Sequence, residues 1–268
     1  MAEHAMPLDG LIAVVTGSSR GIGKAIALRF AEEGAHVVVN YRAEKEEAHG
    51  TVAAIEASGR RAIAVQGDVA NSVDVRRLIE TTLSQFGQID VLVNNAGTGL
   101  TKPFAEIREE EWERAIAVHL KGVFLASQLA GEAMRQRRSG SIINIASVAG
   151  QVALPWRVVY STVEAGKIMF TRALGCEWAK SGVRVNGIAP GTILTDLVRR
   201  NFELGLLDGT RVLERTPLGR FGETSEVAAA AVFLASNQSS YVTGQTIFVD
   251  GGWSGWGGWD VEAPVEVT

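Results

Sequence analysis

Short β-branched runs alternate along the chain with longer stretches of helical period, and Gly, Asn or Asp closes each run. That alternation is the pattern of repeated βαβ units in a parallel sheet. Seven runs read as strands: LIAVVTG, HVVVN, RAIAVQGD, IDVLVNN, SIINIAS, VRVNGIAP and QTIFVDG. Their near-continuous apolar character fits parallel strands covered on both faces. The expected fold class is therefore α/β, a doubly wound parallel sheet with helices on both faces, in a single domain spanning 1–268. Between the strands, residues 109–138 predict one long helix and residues 158–180 another. The stretch 192–219 has no strand signal and mixes Arg, Glu, Gly and Leu, which suggests a substrate lid.

Composition narrows the partners. A net charge of -4 supplies no basic field for nucleic acid, and no apolar run reaches the roughly 18 residues a membrane helix needs. The single cysteine, Cys176, excludes an intrachain disulfide and any multi-cysteine zinc site, and it reads as a buried helix residue. His4, His36 and His49 show no metal spacing, so no catalytic metal is implied. The first residues, MAEHAMPLDG, carry neither an apolar export signal nor an Arg-rich transit pattern, which points to the cytoplasm.

In LIAVVTGSSRGIGKAIALRF a strand runs into Gly17, Gly21 and Gly23 and then directly into an amphipathic helix. Backbone N–H groups of Ser19, Arg20, Gly21 and Ile22 and the helix N-terminus can then face a pyrophosphate. The spacing is GxxxGxG, and its place at the first βα junction makes it a dinucleotide site rather than a plain tight turn. The second strand ends in Asn40, Tyr41 and Arg42, with no carboxylate to accept a ribose 2′-OH. Arg20 and Arg42 can converge on a 2′-phosphate, so NADP(H) is preferred and NAD(H) stays open.

Taken together, TGSSRGIG, GDV, NNAG, a serine thirteen residues before a tyrosine, PGTILT and a terminal VDGG resemble the short-chain dehydrogenase/reductase family over nearly the whole chain. The resemblance implies a Rossmann-type fold and hydride transfer between a nicotinamide cofactor and a ketone or secondary alcohol. It places Asp68 and Val69 beside the adenine, and Asn94, Asn95, Ala96 and Gly97 along the cofactor. Pro190, Gly191, Ile193 and Thr195 would hold the nicotinamide carboxamide. Ser147 would hold the substrate oxygen and Tyr160 would exchange its proton. Val148, Gln151, Leu154 and Trp156 would line a partly apolar substrate pocket, with plain packing the equal alternative for Trp156. Members are commonly homotetramers.

Two positions depart from the family. Four residues beyond Tyr160, where the family keeps a lysine that favours tyrosinate and binds ribose hydroxyls, the chain has Glu164. Lys167 does not simply stand in, because i+7 lies about 10.5 Å along a helix axis from Tyr160 and i+4 about 6 Å. In AIAVHLKGVF the family's helix-kinking asparagine is His119. Either His119 and Glu164 form an imidazolium–carboxylate relay in place of both family residues, or His119 is a core histidine and Glu164 a loss of the lysine. A carboxylate there disfavours tyrosinate.

The tail GGWSGWGGWDVEAPVEVT places Trp253, Trp256 and Trp259 among glycines. Exposed tryptophans need cover, and burial of the 251–268 tail in an oligomer is the expectation. Two rival functions accompany the oxidoreductase reading: a cofactor-binding protein without turnover, and an imine reductase whose carboxylate steadies an iminium ion.

Overall fold

The computed structural model describes residues 6–205 and 207–257. The chain runs β1 (Ile12–Val15), α1 (Gly21–Glu32), β2 (His36–Tyr41), α2 (Lys45–Ala57), β3 (Ala62–Gln66), α3 (Ser72–Phe86) and β4 (Val91–Asn94). It continues through α4 (Glu109–Ile116), α5 (Gly122–Arg137), β5 (Gly140–Ile145), α6 (Val158–Trp178) and β6 (Val183–Pro190). Then come α7 (Asp196–Glu203), α8 (Gly209–Glu214), α9 (Thr224–Ala235) and β7 (Thr246–Val249). All seven expected strands form one parallel sheet of order β3-β2-β1-β4-β5-β6-β7.

Alternation along each strand splits the apolar side chains between two faces. Val15, Val37, Val39 and Val93 pack with Ile26 and Phe30 of α1, Ile55 of α2 and Val227 of α9. Val14, Val38, Leu92 and Ile142 pack on the other face with Leu78 of α3, Met134 of α5 and Trp178 of α6. Chain direction along the sheet reverses between β1 and β4, so the crevice beyond their carboxyl ends is where such a sheet receives a ligand.

The expected helix over 109–138 is interrupted. Ala117–Lys121 forms a π-helical turn between α4 and α5, with His119 buried in its middle. Such a turn adds a residue to the helix and swings one side chain out of register, which is why it concentrates at functional sites. The 158–180 helix ends at Trp178 and tightens into a 3₁₀ turn over Ala179–Ser181. Cys176, expected to be buried, is exposed. Gly175 and Trp178 turn toward the protein instead, and Cys176 falls on the outer face between them.

Close packing under α6 rests on glycine. A Cβ at Gly175 would lie 2.5 Å from the Gly244 nitrogen and 2.8 Å from the Val185 carbonyl oxygen. Both are backbone atoms and cannot rotate away. Gly175→Ala is expected to cost about 1–3 kcal/mol of stability by overpacking. The check is the urea midpoint, which should fall at unchanged slope.

Candidate active site

The glycine turn after β1 is held from three sides. Thr16 Oγ1 accepts the N–H groups of Asn95 and Ala96, each at 3.0 Å, and donates to Val93 O. Asn95 Nδ2 donates to Thr16 O and Gly17 O at 2.9 and 3.0 Å. Asn40 Oδ1 accepts from Gly17 N, while its amide nitrogen donates to Val65 O and Gly67 O. Gly17 has φ of +62°, and a Cβ there would come 3.0 Å from Ala96 Cα. No side chain caps α1, and no acidic residue stands in its first turn. Gly21, Ile22 and Gly23 therefore begin a helix whose N-terminus suits an anion. Ser19 is buried and its carbonyl accepts from Thr51.

Around the expected adenosine end, the residues divide. Asp68 is held by Arg114 Nη2 at 2.8 Å and by the Ala70 N–H. Partial burial raises its pKa, but these bonds and the nearby charges of Arg114 and Arg42 outweigh that, leaving the carboxyl below its usual range. Val69 is buried against Gly122. Arg42 is exposed just past β2, and Arg20 pairs with Glu44 at 3.0 Å. The Tyr41 ring turns into the core, edge-on to His49, because odd and even strand positions point to opposite faces, which leaves its backbone at the strand end toward the cofactor position the sequence assigns it. Asn94 also points inward, donating to Asn144 and Ser127, and Asn144 donates in turn to Thr171 of α6.

Ser147 follows β5, and its hydroxyl accepts from Ala149 N in the short turn Val148–Gly150. That turn lies directly on α6, where a Cβ at Gly150 would stand 2.7 Å from the Glu164 carbonyl carbon. Tyr160 lies on the first turn of α6, and the Ser147 hydroxyl is among the groups that lower its pKa. Its ring meets the His119 ring edge-on at 5.8 Å, and the Arg157 guanidinium lies 5.8 Å from its centroid. Pro190 ends β6, Gly191 N–H donates to Val249 O, and Ile193 is buried and bridged to Gly222. Thr195 caps α7 through its hydroxyl. Val148 is buried, Leu154 half-buried, and Gln151 exposed. Trp156 is 64% exposed at a φ of +65°, strained for so large a side chain.

His119 and Glu164 do meet: Nδ1 lies 2.8 Å from Oε1 in a fully buried pair. On its other side, His119 Nε2 is 2.9 Å from both the N–H and the carbonyl oxygen of Thr98. Gly97 makes room for the ring, since a Cβ there would touch Cε1 at 3.0 Å. A third member was missed. Lys167 is 2% exposed, and its Nζ lies 3.2 Å from Glu164 Oε1, 2.9 Å from Ile145 O and 3.4 Å from His119 Nδ1. Rise along the axis separates Lys167 from Tyr160, but helical side chains lean toward the N-terminus and Lys167 is i+3 to Glu164. That spacing was the signal available in the sequence.

Burial pushes the Glu164 pKa up, but Lys167 and His119 more than offset this and hold it below the usual carboxylate range. Tyr160 moves the other way. Burial raises it first and the Glu164 carboxylate second, against weaker lowering by Ser147 and Arg157, so its hydroxyl holds its proton above the usual phenolic range. The arrangement sets a phenol near a serine hydroxyl, with a carboxylate held ionised behind it.

Trp253 and Trp256, the described tryptophans of the tail, are half-buried. Arg215, just past α8, lies 5.2 Å from the ring centroids of both Trp253 and Trp256, and its Nη1 donates to Trp256 O at 2.7 Å. Trp259 and His4 lie outside the described residues.

Residues 17–254 match the family described as enoyl-(acyl carrier protein) reductase. The chain is 43% identical over 242 residues to a 3-oxoacyl-(acyl-carrier-protein) reductase of Staphylococcus aureus, covering 90% of this chain and 96% of that protein. It is 42% identical over 248 residues to glucose 1-dehydrogenase 2 of Bacillus subtilis, covering 91% and 95%. Among solved structures, gluconate 5-dehydrogenase from Burkholderia cenocepacia, in complex with NADP and tartrate, superposes with a TM-score of 0.87. It is 36% identical, with 95% of this chain and 100% of that one covered.

The chain has three tyrosines. In an ultraviolet titration compared with Tyr160→Phe, Tyr160 is expected to ionise last. Glu164→Gln removes the adjacent negative charge and should bring its midpoint down. A Tyr160 that titrates with the other phenols would overturn this electrostatic description.

Proposed function

The chain belongs to the short-chain dehydrogenase/reductase family, and on that premise we propose that it interconverts a ketone and a secondary alcohol with NADP(H), with NAD(H) accepted less well. The observation that carries the reading is Tyr160 on the first turn of α6, its ring edge-on to His119 at 5.8 Å and its phenol near enough to Ser147 to be acidified by it. The residues present fit the cofactor. Gly17, Gly21 and Gly23 leave an uncapped helix terminus for its pyrophosphate, and Arg20 and Arg42 flank the 2′-phosphate position. Asp68, Val69, Asn95, Ala96 and Gly97 flank its length, and Pro190, Gly191, Ile193 and Thr195 its nicotinamide end.

When bound, the reduced nicotinamide supplies the hydride. Ser147 donates to the substrate oxygen and orients it. Tyr160 gives its proton to the oxygen as negative charge develops there. Val148, Leu154 and Trp156 offer a partly apolar wall, and 192–219, built from α7 and α8, closes over it as a lid. Phe124 and Met169 lie 46% and 56% exposed on α5 and α6, which supports a homotetramer assembled through these helices. Among the described residues no helix is long and apolar enough to cross a membrane. We place the protein in the cytoplasm.

A second reading, a cofactor-binding protein without turnover, draws on Glu164, whose charge opposes tyrosinate. NADPH consumption on a panel of ketones, 3-oxoacyl thioesters, sugars and imines separates the two. The expected result is turnover of a ketone, reduced about a hundredfold or more by Tyr160→Phe. Reduction should persist into alkaline solution, because the phenol stays protonated there. Oxidation of the product alcohol needs tyrosinate and should rise toward high pH; an oxidation profile flat from about pH 7 to 10 counts against the assignment. If Arg42 meets the 2′-phosphate, Arg42→Ala should weaken NADPH binding about tenfold and leave NADH binding nearly unchanged, as measured by fluorescence titration.

A further inference from the structure

Glu164 is the most constrained ionisable group near Tyr160. Oε1 receives both of its polar contacts, from His119 Nδ1 at 2.8 Å and from Lys167 Nζ at 3.2 Å. Oε2 is buried and has no hydrogen-bond partner among the described residues. A carboxylate sealed from water and solvated on one oxygen keeps its charge only through the groups that touch it. His119, neutral or protonated, can donate one hydrogen bond through Nδ1, whereas Lys167 brings a formal charge.

Lys167 has no other assignment. Its side chain is buried along its whole length, with Nζ anchored to Ile145 O at the end of β5. The charged and titratable groups around the cluster are His119 from the π-helical turn and Tyr160, Glu164, Lys167 and Arg157 from α6 and its N-cap. The carboxylate and Arg157 are the charges felt by the Tyr160 phenol, and the Lys167 ammonium acts on the carboxylate.

We propose that Lys167 is a positioning residue that acts on Tyr160 only through Glu164: its ammonium, 3.2 Å from Oε1, holds the buried carboxylate as an ion one helical turn from the tyrosine. This rests on the reading of Tyr160 as the proton donor. It has an unusual consequence. Removing a cation near a phenol ordinarily makes the phenol less acidic, since the cation favours tyrosinate. Here, removing Lys167 leaves Glu164 to neutralise itself by taking up a proton. Tyr160 should then become more acidic.

The test is an ultraviolet titration of the cofactor-free protein and of Lys167→Met, Lys167→Arg, Glu164→Gln and the double variant, each against its Tyr160→Phe counterpart. Lys167→Met is expected to ionise Tyr160 earlier than the parent, and Lys167→Arg to titrate like the parent. In the Glu164→Gln background, Lys167→Met should change nothing, since the intermediary is gone. A later midpoint in Lys167→Met, or an unchanged one, overturns the proposal, as does a further effect of Lys167→Met on top of Glu164→Gln. If the single variant does not fold, the double variant, a neutral replacement of a buried ion pair, keeps the question open to decision. It must still ionise Tyr160 earlier than the parent.

Kinetics supply the second readout. In Lys167→Met the rise of alcohol oxidation with pH should begin at lower pH than in the parent, by the amount its Tyr160 midpoint falls. Because the titration needs no cofactor, a protein that consumes no NADPH defeats the functional reading while the coupling of the three side chains is still measured.

Discussion

A charged carboxylate inside a protein must be matched by donors or a counter-charge, and much of the site around Glu164 follows from that requirement. Lys167 reaches back along α6 to meet it. His119 comes to it from the π-helical turn between α4 and α5, so the irregular winding of that helix and the polar cluster are one feature. Gly97 and Gly150 admit the imidazole ring and the α6 backbone at distances a Cβ would not allow. The electrostatic result falls on Tyr160, whose proton is held more firmly than a free phenol's.

The sheet supplies the rigid frame for this cluster. Asn94 of β4, Asn144 of β5 and Thr171 of α6 form a buried chain of hydrogen bonds beneath the site. Thr16 and Asn95 bind the loop after β1 to the end of β4. Each of these polar side chains is satisfied, so the network favours one register of helix on sheet over its alternatives. The crevice between β1 and β4 and the turn carrying Ser147 are therefore fixed relative to one another. A proton donor and a cofactor cradle need that fixity.

Motif and period made much of this legible. The alternation of β-branched runs and helical stretches led to all seven strands, because parallel strands buried on both faces leave a strong apolar signature. The encounter of His119 with Glu164 followed from family spacing. Lys167 lies too far along α6 to take the i+4 place beside Tyr160, and it is the backward lean of a long side chain and its i+3 relation to Glu164 that bring its Nζ to the carboxylate. Cys176 was misjudged because one-dimensional patterns give the period of burial but not its phase at a given residue. Trp253 and Trp256 stay partly exposed, and the guanidinium of Arg215, 5.2 Å from each ring, is a contact that local sequence does not reveal.

By itself, then, the sequence determined the class of fold and the strand-end location of the glycine turn, since these depend on local period and on residues close in the chain. Only the tertiary structure decided the ionisation of the site. Glu164 is a liability or a working part according to what lies within about 3 Å of it, and its neighbours come from the π-helical turn and from one turn further along α6. Solvation and Coulomb forces act over ångströms of space, not over positions in a chain.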